Sequence, residues 1–427
     1  MKNRRFMFLF SLVGVVALLA TACAGDDDDD TDAGAEEEFT PGELGAVDVA
    51  PGDPILIGAH QAISGDTASL GTDQVRAIEI AIADRDGELL GHEIELQVED
   101  DECAAEGGTT GAQRLVAEPQ LVAVIGTSCS GAAVPASEIL SEEGIALISA
   151  SNTSPALTSD LAGTEGESHQ DTYLRTAHND IVQGQAAANF AFEELGAQTA
   201  ATIHDGDPYT QGLAAAFETS FTELGGEVVV ATAVNKGDTD MRPVLTEVSA
   251  ANPDLVFFPI FQPEADFIVQ QANEFPELED TSKLMGADGL LSDTFIVLPD
   301  TENMYFSGPA TPTGSAYEEF VQKYEEANGE APIQAFHAHA YDAANMLLDT
   351  IEATAVEDED GTLHIDRQAL LDELYSIEGF EGLTGTLTCD EFGDCANPVI
   401  DVVQNGEPEV SIEDVRGNVL YSFEAEE

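Results

Sequence analysis

Short apolar runs alternate with stretches of helical periodicity along most of the chain. The runs that predict buried strands in the first series are 55–59, 94–98, 121–125 and 145–149. Between them, 72–83 and the stretch around 112–116 have helical spacing, and Val75, Ile78 and Ile82 fall on one face of the first of these helices. Strands that alternate with helices in this way predict a parallel α/β sheet.

A second series of the same kind begins after Arg175. The predicted strands are 199–204, 227–233, 255–259 and 283–286, and the predicted helices are 184–195, 211–224, 242–250 and 264–273. A further helix at 335–352 is expected to return to the first lobe, which would create a multi-strand hinge. The fold class that follows is α/β, with two Rossmann-like lobes of parallel sheet joined by that hinge.

The chain length also favours two lobes, because about 375 residues after the N-terminal region are too many for one ordinary core. We expect the N-terminal lobe to comprise residues 53–178 plus 311–385. The C-terminal lobe is expected to comprise 179–310 plus 386–427.

The first 52 residues read as an export signal and a linker. Lys2, Arg4 and Arg5 precede an apolar stretch that is too short to span a membrane, which predicts a signal peptide over 1–22. Cys23 follows Ala-Thr-Ala and precedes an acidic tract, as in bacterial lipoprotein signals, so we expect Cys23 to be lipidated. Residues 23–52 are too poor in apolar groups to fold and should form a disordered acidic tether.

These features predict an exported protein, lipid-anchored to the outer face of the cytoplasmic membrane or lying in the periplasm. The sequence leaves the type of cell envelope open.

The charge balance is extreme, with 83 acidic and 13 basic residues and a formal net charge of −70. Removal of the signal peptide would take away three more cations. Nucleic acid and anionic membrane are therefore poor partners. The pattern is typical of a surface adapted to high salt, where ions screen self-repulsion.

Cysteine usage agrees with export to an oxidising compartment. Five cysteines leave four once Cys23 is assigned, which permits two disulfides in three possible pairings. We favour Cys103 with Cys129 and Cys389 with Cys395. No pair has the spacing of a zinc ligand set, and we expect neither a metal nor a cofactor.

Polar turns follow two neighbouring predicted strands and form the best candidate for a binding site. Ser130, Ser151, Asn152 and Thr153 would meet at the carboxyl edge of a parallel sheet, where small ligands bind. They supply donors and acceptors without an evident nucleophile and base, which suits holding a zwitterion. Ser130 also stands where a hydrolase nucleophile elbow needs glycine, and neither a zinc-protease motif nor a P-loop occurs, so we do not expect an enzyme.

The order of several short motifs makes the chain resemble a known family. The motifs are Ile63-Ser64-Gly65 with Leu70-Gly71, Asp100-Asp101 with Cys103, Gly126 to Ser130 with Pro135-Ala136-Ser137, Thr153 with Pro155, Leu174-Arg175-Thr176, His204-Asp205 with Tyr209, Met285-Gly286 with Asp288-Gly289, Tyr341-Asp342 and Gly393-Asp394. Over residues 54–410 the chain resembles the substrate-binding proteins of branched-chain amino acid ABC transporters. These have the type I periplasmic-binding fold, and some members have a disulfide that matches Cys103 with Cys129.

The resemblance implies a role for each candidate residue. Ser130 and Thr153 would bind the ligand carboxylate with the backbone amide of Ser151, and Asp288 would bind the ligand ammonium with help from Thr153 and the Ser151 carbonyl. Tyr209 would contact the ligand from the second lobe. Each position also has a purely structural alternative as a helix cap, a turn or loop packing.

Three further positions bear on specificity and closure. Phe261 matches another aromatic position of the second lobe, and Asp180 matches a cleft or hinge position. Leu70 stands where the family often has an aromatic, so the pocket should stay apolar with a changed shape. Leucine, isoleucine or valine is the expected ligand, while amides, urea and aromatic acids remain open.

The implied function is ligand capture by hinge closure and delivery to an ABC permease in the membrane, by a monomer. A ligand sensor with the same fold is the alternative, and only its partner would distinguish it.

Overall fold

The computed structural model describes residues 39–280, 283–406 and 411–425. The predicted signal peptide and Cys23 lie outside these residues, as does the acidic tract up to Glu38. Among the described residues, no helix combines the length and the apolar character needed to cross a bilayer.

The strands and helices alternate over most of the chain. The strands are β1 Ala46–Val49, β2 Ile55–Gln61, β3 Glu88–Leu89, β4 His92–Asp100, β5 Leu121–Gly126, β6 Leu147–Ser149, β7 Tyr173–Arg175, β8 Thr199–His204, β9 Glu227–Ala233, β10 Leu255–Phe257, β11 Leu284–Gly286, β12 Tyr305–Pro309, β13 Val356–Glu357, β14 Leu363–Asp366, β15 Glu378–Gly382, β16 Gly385–Thr388, β17 Val399–Gln404 and β18 Val419–Glu424. The helices are α1 Ala68–Ala83, α2 Ala105–Leu115, α3 Ser130–Glu142, α4 Asp180–Asn189, α5 Pro208–Glu223, α6 Arg242–Ala251, α7 Glu264–Ala272, α8 Ser315–Asn328, α9 His337–Thr354, α10 Arg367–Tyr375 and α11 Ile412–Gly417.

The first lobe is built on a six-stranded sheet in the order β3-β4-β2-β5-β6-β7, parallel except for the short edge strand β3. Every residue of β2 and β5 is buried, as expected for central parallel strands covered on both faces. Helices α1 and α9 pack together on one face, and their apolar residues join the strands in one core. The late helix α9 therefore completes a lobe that the first part of the chain began.

The second lobe contains a seven-stranded sheet in the order β18-β17-β12-β11-β10-β8-β9. Its central strands are parallel, whereas β17 pairs antiparallel with both β12 and β18. Aromatic side chains fill much of the core under this sheet, and Phe217, Phe257 and Phe258 are fully buried.

The chain passes between the two sheets three times. It crosses after β7, again between β12 and α8, and a third time before β17. Two parallel-stranded α/β lobes joined by a multi-strand hinge confirm the predicted fold class. The third crossing lies later than residue 386, because the loop closed by the Cys389–Cys395 disulfide remains against the first sheet, where Cys395 N donates to Arg175 O at 3.1 Å.

The predicted tether over 23–52 is wrong in its last part. Residues 46–49 form β1, which pairs antiparallel with β14 in register from Ala46 opposite Asp366 to Val49 opposite Leu363. Val47 and Val49 are both buried and join the core of the first lobe. Two apolar residues in alternate positions are enough to attach this strand, although the surrounding composition is polar.

Candidate ligand-binding site

A cleft between the lobes lies at the carboxyl ends of strands from both sheets. Six of the nine predicted binding residues line it, which are Leu70, Ser130, Ser151, Tyr209, Phe261 and Asp288. The remaining three, Asn152, Thr153 and Asp180, are buried but do not line it. The site therefore lies at the sheet edges that the alternation of strands and polar turns predicted.

The first-lobe wall of the cleft is the turn between β5 and α3. Helix α3 begins at Ser130, so the first backbone N–H groups of the helix have no intrahelical acceptor. They are directed out of the N-terminal end of the helix, which lies at the cleft. The Ser130 hydroxyl accepts a long hydrogen bond from Ser154 N at 3.4 Å, and its own proton is available to a ligand. Such a helix start favours an anion.

A buried carboxylate fixes this turn from behind. Asp101 accepts hydrogen bonds from Ser128 N at 2.6 Å and from Cys103 N at 2.7 Å. The Cys103–Cys129 disulfide joins the same two loops, and the second favoured pair, Cys389–Cys395, is also present. Burial raises the pKa of Asp101 to about 7, and the backbone N–H donors act in the opposite direction.

Ser151 has its polar groups engaged inside the first lobe. Its hydroxyl donates to Ser128 O at 2.8 Å and accepts from Gln74 Nε2 at 2.9 Å. Its amide N–H, for which the resemblance implied a ligand carboxylate, donates to Ser149 Oγ at 3.3 Å. Ser151 therefore shapes the cleft wall and positions the turn that holds Ser130.

Asn152 does not face the cleft, contrary to its assignment as a binding residue. Its side-chain nitrogen donates to Thr127 O at 2.9 Å, and its side-chain oxygen accepts from Tyr173 OH at 3.2 Å and from Thr127 Oγ1 at 3.3 Å. These bonds fasten one polar turn to the other from within the lobe. A turn residue has two possible faces, and the sequence did not reveal which one Asn152 presents.

Thr153 and Asp180 lie side by side behind the cleft wall. Asp180 N donates to Thr153 O at 2.9 Å, which brings the two side chains together. The Thr153 hydroxyl and the two carboxylate oxygens of Asp180 lack a well-formed hydrogen bond among the described residues, although the two side chains are close enough to interact with each other. Buried polar atoms rarely remain unpaired, so these three are candidates for contact with a ligand or water.

The second-lobe wall is centred on Asp288, which follows β11. Its Oδ1 accepts hydrogen bonds from Tyr209 OH at 3.0 Å and from Gln183 Nε2 at 2.6 Å. The Phe261 ring lies beside the Tyr209 ring, with centroids 5.1 Å apart. Gln183 was not predicted, although it stands three residues after Asp180 on the same helix face, which is the signal that could have identified it.

Asp180 and Asp288 interact electrostatically, and their pKa values differ. Burial raises the pKa of Asp288 to about 6. Burial, followed by repulsion from Asp288, raises the pKa of Asp180 well above its usual range. Burial and repulsion from Asp288 thus both favour the protonated form of Asp180, and the two carboxyl groups disfavour carrying a charge at the same time.

A buried cation that interacts with Asp180 is already used elsewhere. Arg175 is fully buried, and its Nε donates to Asp394 at 2.5 Å. Its Nη1 donates to the carbonyl oxygens of Ser154 and Asn152 at 2.9 and 3.1 Å. Arg175 therefore holds the 152–154 turn in place and leaves the charge of Asp288 for another partner.

Contacts across the cleft hold the lobes together in a closed arrangement. Ser154 Oγ of the first lobe donates to Pro208 O at 3.0 Å. Lys236 of the second lobe pairs with Asp207 at 2.7 Å and reaches Cys103 O at 3.5 Å. A ligand bound at Ser130 and Asp288 would thus be enclosed on both sides.

Sequence reasoning missed a group of polar residues at the cleft. These additional lining residues are Asp66, Thr67, Ser69, Ser128, Gln262, Ser292 and Gln334, accompanied by Cys129, Gly289 and Phe336. Asp66 is exposed, whereas Gln334 and Ser292 are buried. Isolated glutamine and serine residues, in loops or, like Ser69, in the first turn of a helix, give no pattern that would have singled them out.

The chain is similar in sequence and in structure to known ligand-binding proteins. An amino acid binding protein of Pseudomonas aeruginosa is 32% identical over 241 residues, which cover 56% of this chain and 62% of that protein. The Leu/Ile/Val-binding protein of Escherichia coli is 26% identical over 351 residues, which cover 81% of this chain and 89% of that protein. The crystal structure of the leucine-binding protein LivK from Thermotoga maritima superposes with a TM-score of 0.71 at 26% identity, covering 83% of this chain and 96% of that one.

The model of the family described as periplasmic binding protein matches residues 54–398. The resemblance inferred from the ordered motifs is confirmed, and the chain belongs to the periplasmic binding protein family.

Proposed function

We propose that this chain is the extracytoplasmic substrate-binding protein of an ABC importer and that it binds an α-amino acid in the cleft between its lobes. The observation that carries the proposal is the buried pair of Asp180 and Asp288 opposite the start of α3. The carboxylate of Asp288 and a helix N-terminus across from it suit the ammonium and the carboxylate of a zwitterion.

The ammonium group is assigned to Asp288, whose Oδ2 is left for the ligand while Tyr209 and Gln183 hold Oδ1. The Thr153 hydroxyl, which lies beside Asp180 behind the cleft wall, is the second acceptor. A cation buried on closure requires such compensating partners. The ligand carboxylate is assigned to the Ser130 hydroxyl and the first amides of α3.

Closure of the lobes follows from the assignment of the two charged ends of the ligand to different lobes. Ser130 belongs to the first lobe and Asp288 to the second, so one zwitterion can bridge both lobes only when they are together. A ligand that binds the closed form more tightly than the open form shifts the population toward closure. Exclusion of water then strengthens each polar contact.

The relatives support the transport role. They are named for the binding of amino acids and of leucine, isoleucine and valine, which favours uptake over catalysis for this chain. In the proposed assembly, a lipid on Cys23 holds a monomer at the outer face of the cytoplasmic membrane or in the periplasm, next to its permease. Cys23 lies outside the described residues, so this part of the proposal depends on the sequence.

The test is a thermal-denaturation screen of the purified chain in high salt against the α-amino acids and their deaminated analogues, such as 4-methylpentanoate for leucine. A ligand at a thousandfold excess over its Kd should add about 4 kcal/mol to the free energy of unfolding. We expect stabilisation by one or more amino acids and none by the deaminated analogues. Stabilisation only by compounds without an α-amino group would contradict the proposal.

A further inference from the structure

The cleft has a second polar region beyond the groups assigned to the zwitterion. We call this region the amide end and define it by Ser69 and Gln334 of the first lobe and Gln262 and Ser292 of the second, all four of which line the cleft. Leu70 and Phe336 supply apolar surface beside it. A pocket built for an aliphatic side chain would not need four hydrogen-bonding side chains at this place.

The first-lobe half of the amide end is a fixed hydrogen-bonded pair. Gln334 Nε2 donates to Ser69 Oγ at 2.9 Å, and Gln334 is only 6% exposed. Its backbone is also fixed, because Gln334 N donates to the buried Asp73 carboxylate at 2.7 Å. The carboxamide is therefore held in one orientation at the cleft.

The second-lobe half is a carboxamide held by three hydrogen bonds. Gln262 Oε1 accepts from Ser292 Oγ at 3.1 Å and from Thr294 Oγ1 at 2.7 Å. Gln262 Nε2 donates to Asp266 Oδ1 at 2.9 Å. Both halves thus consist of a glutamine carboxamide oriented by a serine hydroxyl.

We propose that the ligand is an α-amino acid whose side chain ends in a neutral carboxamide or urea group, as in glutamine, asparagine or citrulline. The inference rests on the proposed function, because it takes the zwitterion as bound at Ser130 and Asp288. It deepens that function by replacing the aliphatic ligand expected from Leu70 with a polar one.

The number of free hydrogen-bond donors at the amide end supports a carboxamide group on the ligand. The Nε2 atoms of Gln334 and Gln262 each carry two protons and each donate one hydrogen bond to a neighbouring side chain. The second proton of each is available to the carbonyl oxygen of a ligand. The Ser69 hydroxyl, which accepts from Gln334, retains its own proton as a further donor.

An aliphatic or anionic side chain fits this end less well. A leucine side chain would displace water from four polar side chains. It could not replace the hydrogen bonds that this water makes, and leaving buried polar groups unpaired is costly. A glutamate side chain has the shape of glutamine, but its charge would lie near Asp66 at the cleft mouth. Sites that hydrogen-bond a side chain discriminate strongly against analogues that lack the polar group.

The experiment is isothermal titration calorimetry of the full chain in high salt with glutamine, asparagine, citrulline, glutamate, leucine, isoleucine and valine. We expect the tightest carboxamide or urea ligand to bind with a Kd at least tenfold below those of leucine, isoleucine, valine and glutamate. Tighter binding of an aliphatic amino acid would overturn this inference and leave the proposed function standing. Absence of binding by every α-amino acid would instead overturn the proposed function.

Variants locate the discrimination at the amide end. Gln334→Leu and Gln262→Leu should each reduce the ratio of leucine Kd to glutamine Kd at least tenfold. Gln322→Leu, on the exposed surface of α8, is the matched control and should leave that ratio unchanged. An unchanged ratio in both cleft variants would contradict the inference, and the wild-type ligand ranking tests it independently should either variant not fold.

Discussion

At the scale of single residues, Asp288 links ligand binding to pH. Burial raises its pKa to about 6, against about 3.9 for an aspartate in an unfolded chain. The ligand-free folded state therefore binds more protons than the unfolded state between these values, and Asp288 lowers stability as the pH rises from about 4 to about 6. An ammonium ligand needs the ionised carboxylate, so its affinity should follow the opposite course.

We expect the Kd of the amino acid to fall about tenfold between pH 5 and pH 7 and to level off above pH 7, because one proton is displaced from Asp288. Titration calorimetry across this range measures it. Asp288→Asn should weaken binding and flatten the profile, whereas Asp293→Asn, at an exposed neighbouring position, should preserve it. A profile that stays equally steep in Asp288→Asn would assign the proton to another group.

At the scale of elements, closure depends on a close approach between α3 and the loop before α5. A Cβ atom added at Gly131 would lie 2.3 Å from Asp207 Oδ2, the oxygen that pairs with Lys236. Asp207 also caps α5 through Tyr209 N at 3.0 Å, so it cannot retreat without disturbing the second-lobe wall. Glycine at position 131 therefore permits the lobes to meet.

Gly131→Ala should weaken amino acid binding about tenfold by disfavouring the closed form, while alanine itself is well tolerated in a helix. Small-angle scattering should show a smaller decrease in radius of gyration on addition of ligand than in the wild type. Gly417→Ala, where an added Cβ meets no atom within 4 Å, is the control. Wild-type affinity and compaction in Gly131→Ala would refute this account of closure.

The bounds of the strands and helices show how much of the fold could be predicted from the sequence. Strands β8 and β9 were predicted to the residue, because each is a short apolar run with turn residues on both sides. Helix α5 begins three residues before its predicted start, since Asp207 caps it and Pro208 occupies its first turn. Strand β1 was missed because its partner β14 lies more than 300 residues later in the chain, and no local pattern reports such a pairing.

The candidate site divides in the same way. The strand ends that carry Ser130 and Asp288 were predictable from periodicity and from the family motifs. The orientation of Asn152 and the pairing of Gln334 with Ser69 depend on three-dimensional neighbours. Packing between segments that are distant in the chain determines the orientation of Asn152 and the pairing of Gln334 with Ser69, and no local sequence pattern indicates such packing.

At the scale of the whole molecule, the net charge of −70 sets the conditions under which the fold is stable. Basic residues are few, and pairs such as Arg242 with Glu274 at 2.6 Å lie exposed at the surface, where they contribute little. Self-repulsion among carboxylates is therefore opposed mainly by ions in solution.

Raising KCl from 0.1 M to 2 M should increase the Tm by several degrees, because the Debye length shortens from about 10 Å to less than about 3 Å. Differential scanning calorimetry measures the shift. Sucrose at equal osmolality is the control for solute exclusion and should give a smaller increase. A Tm that is independent of KCl would show that surface repulsion does not limit this fold.

The triple crossing of the hinge also bears on how such a protein can diversify. Neither lobe is encoded by one uninterrupted stretch of gene, since α9, with its fully buried Ala340 and Leu347, belongs to a core that begins with Val47. A gene fragment that ends after β7 would lack this helix and leave that core open. Exchange of one uninterrupted gene segment therefore cannot transfer a complete lobe, whereas point substitutions along the facing walls can change the ligand preference and leave both cores intact.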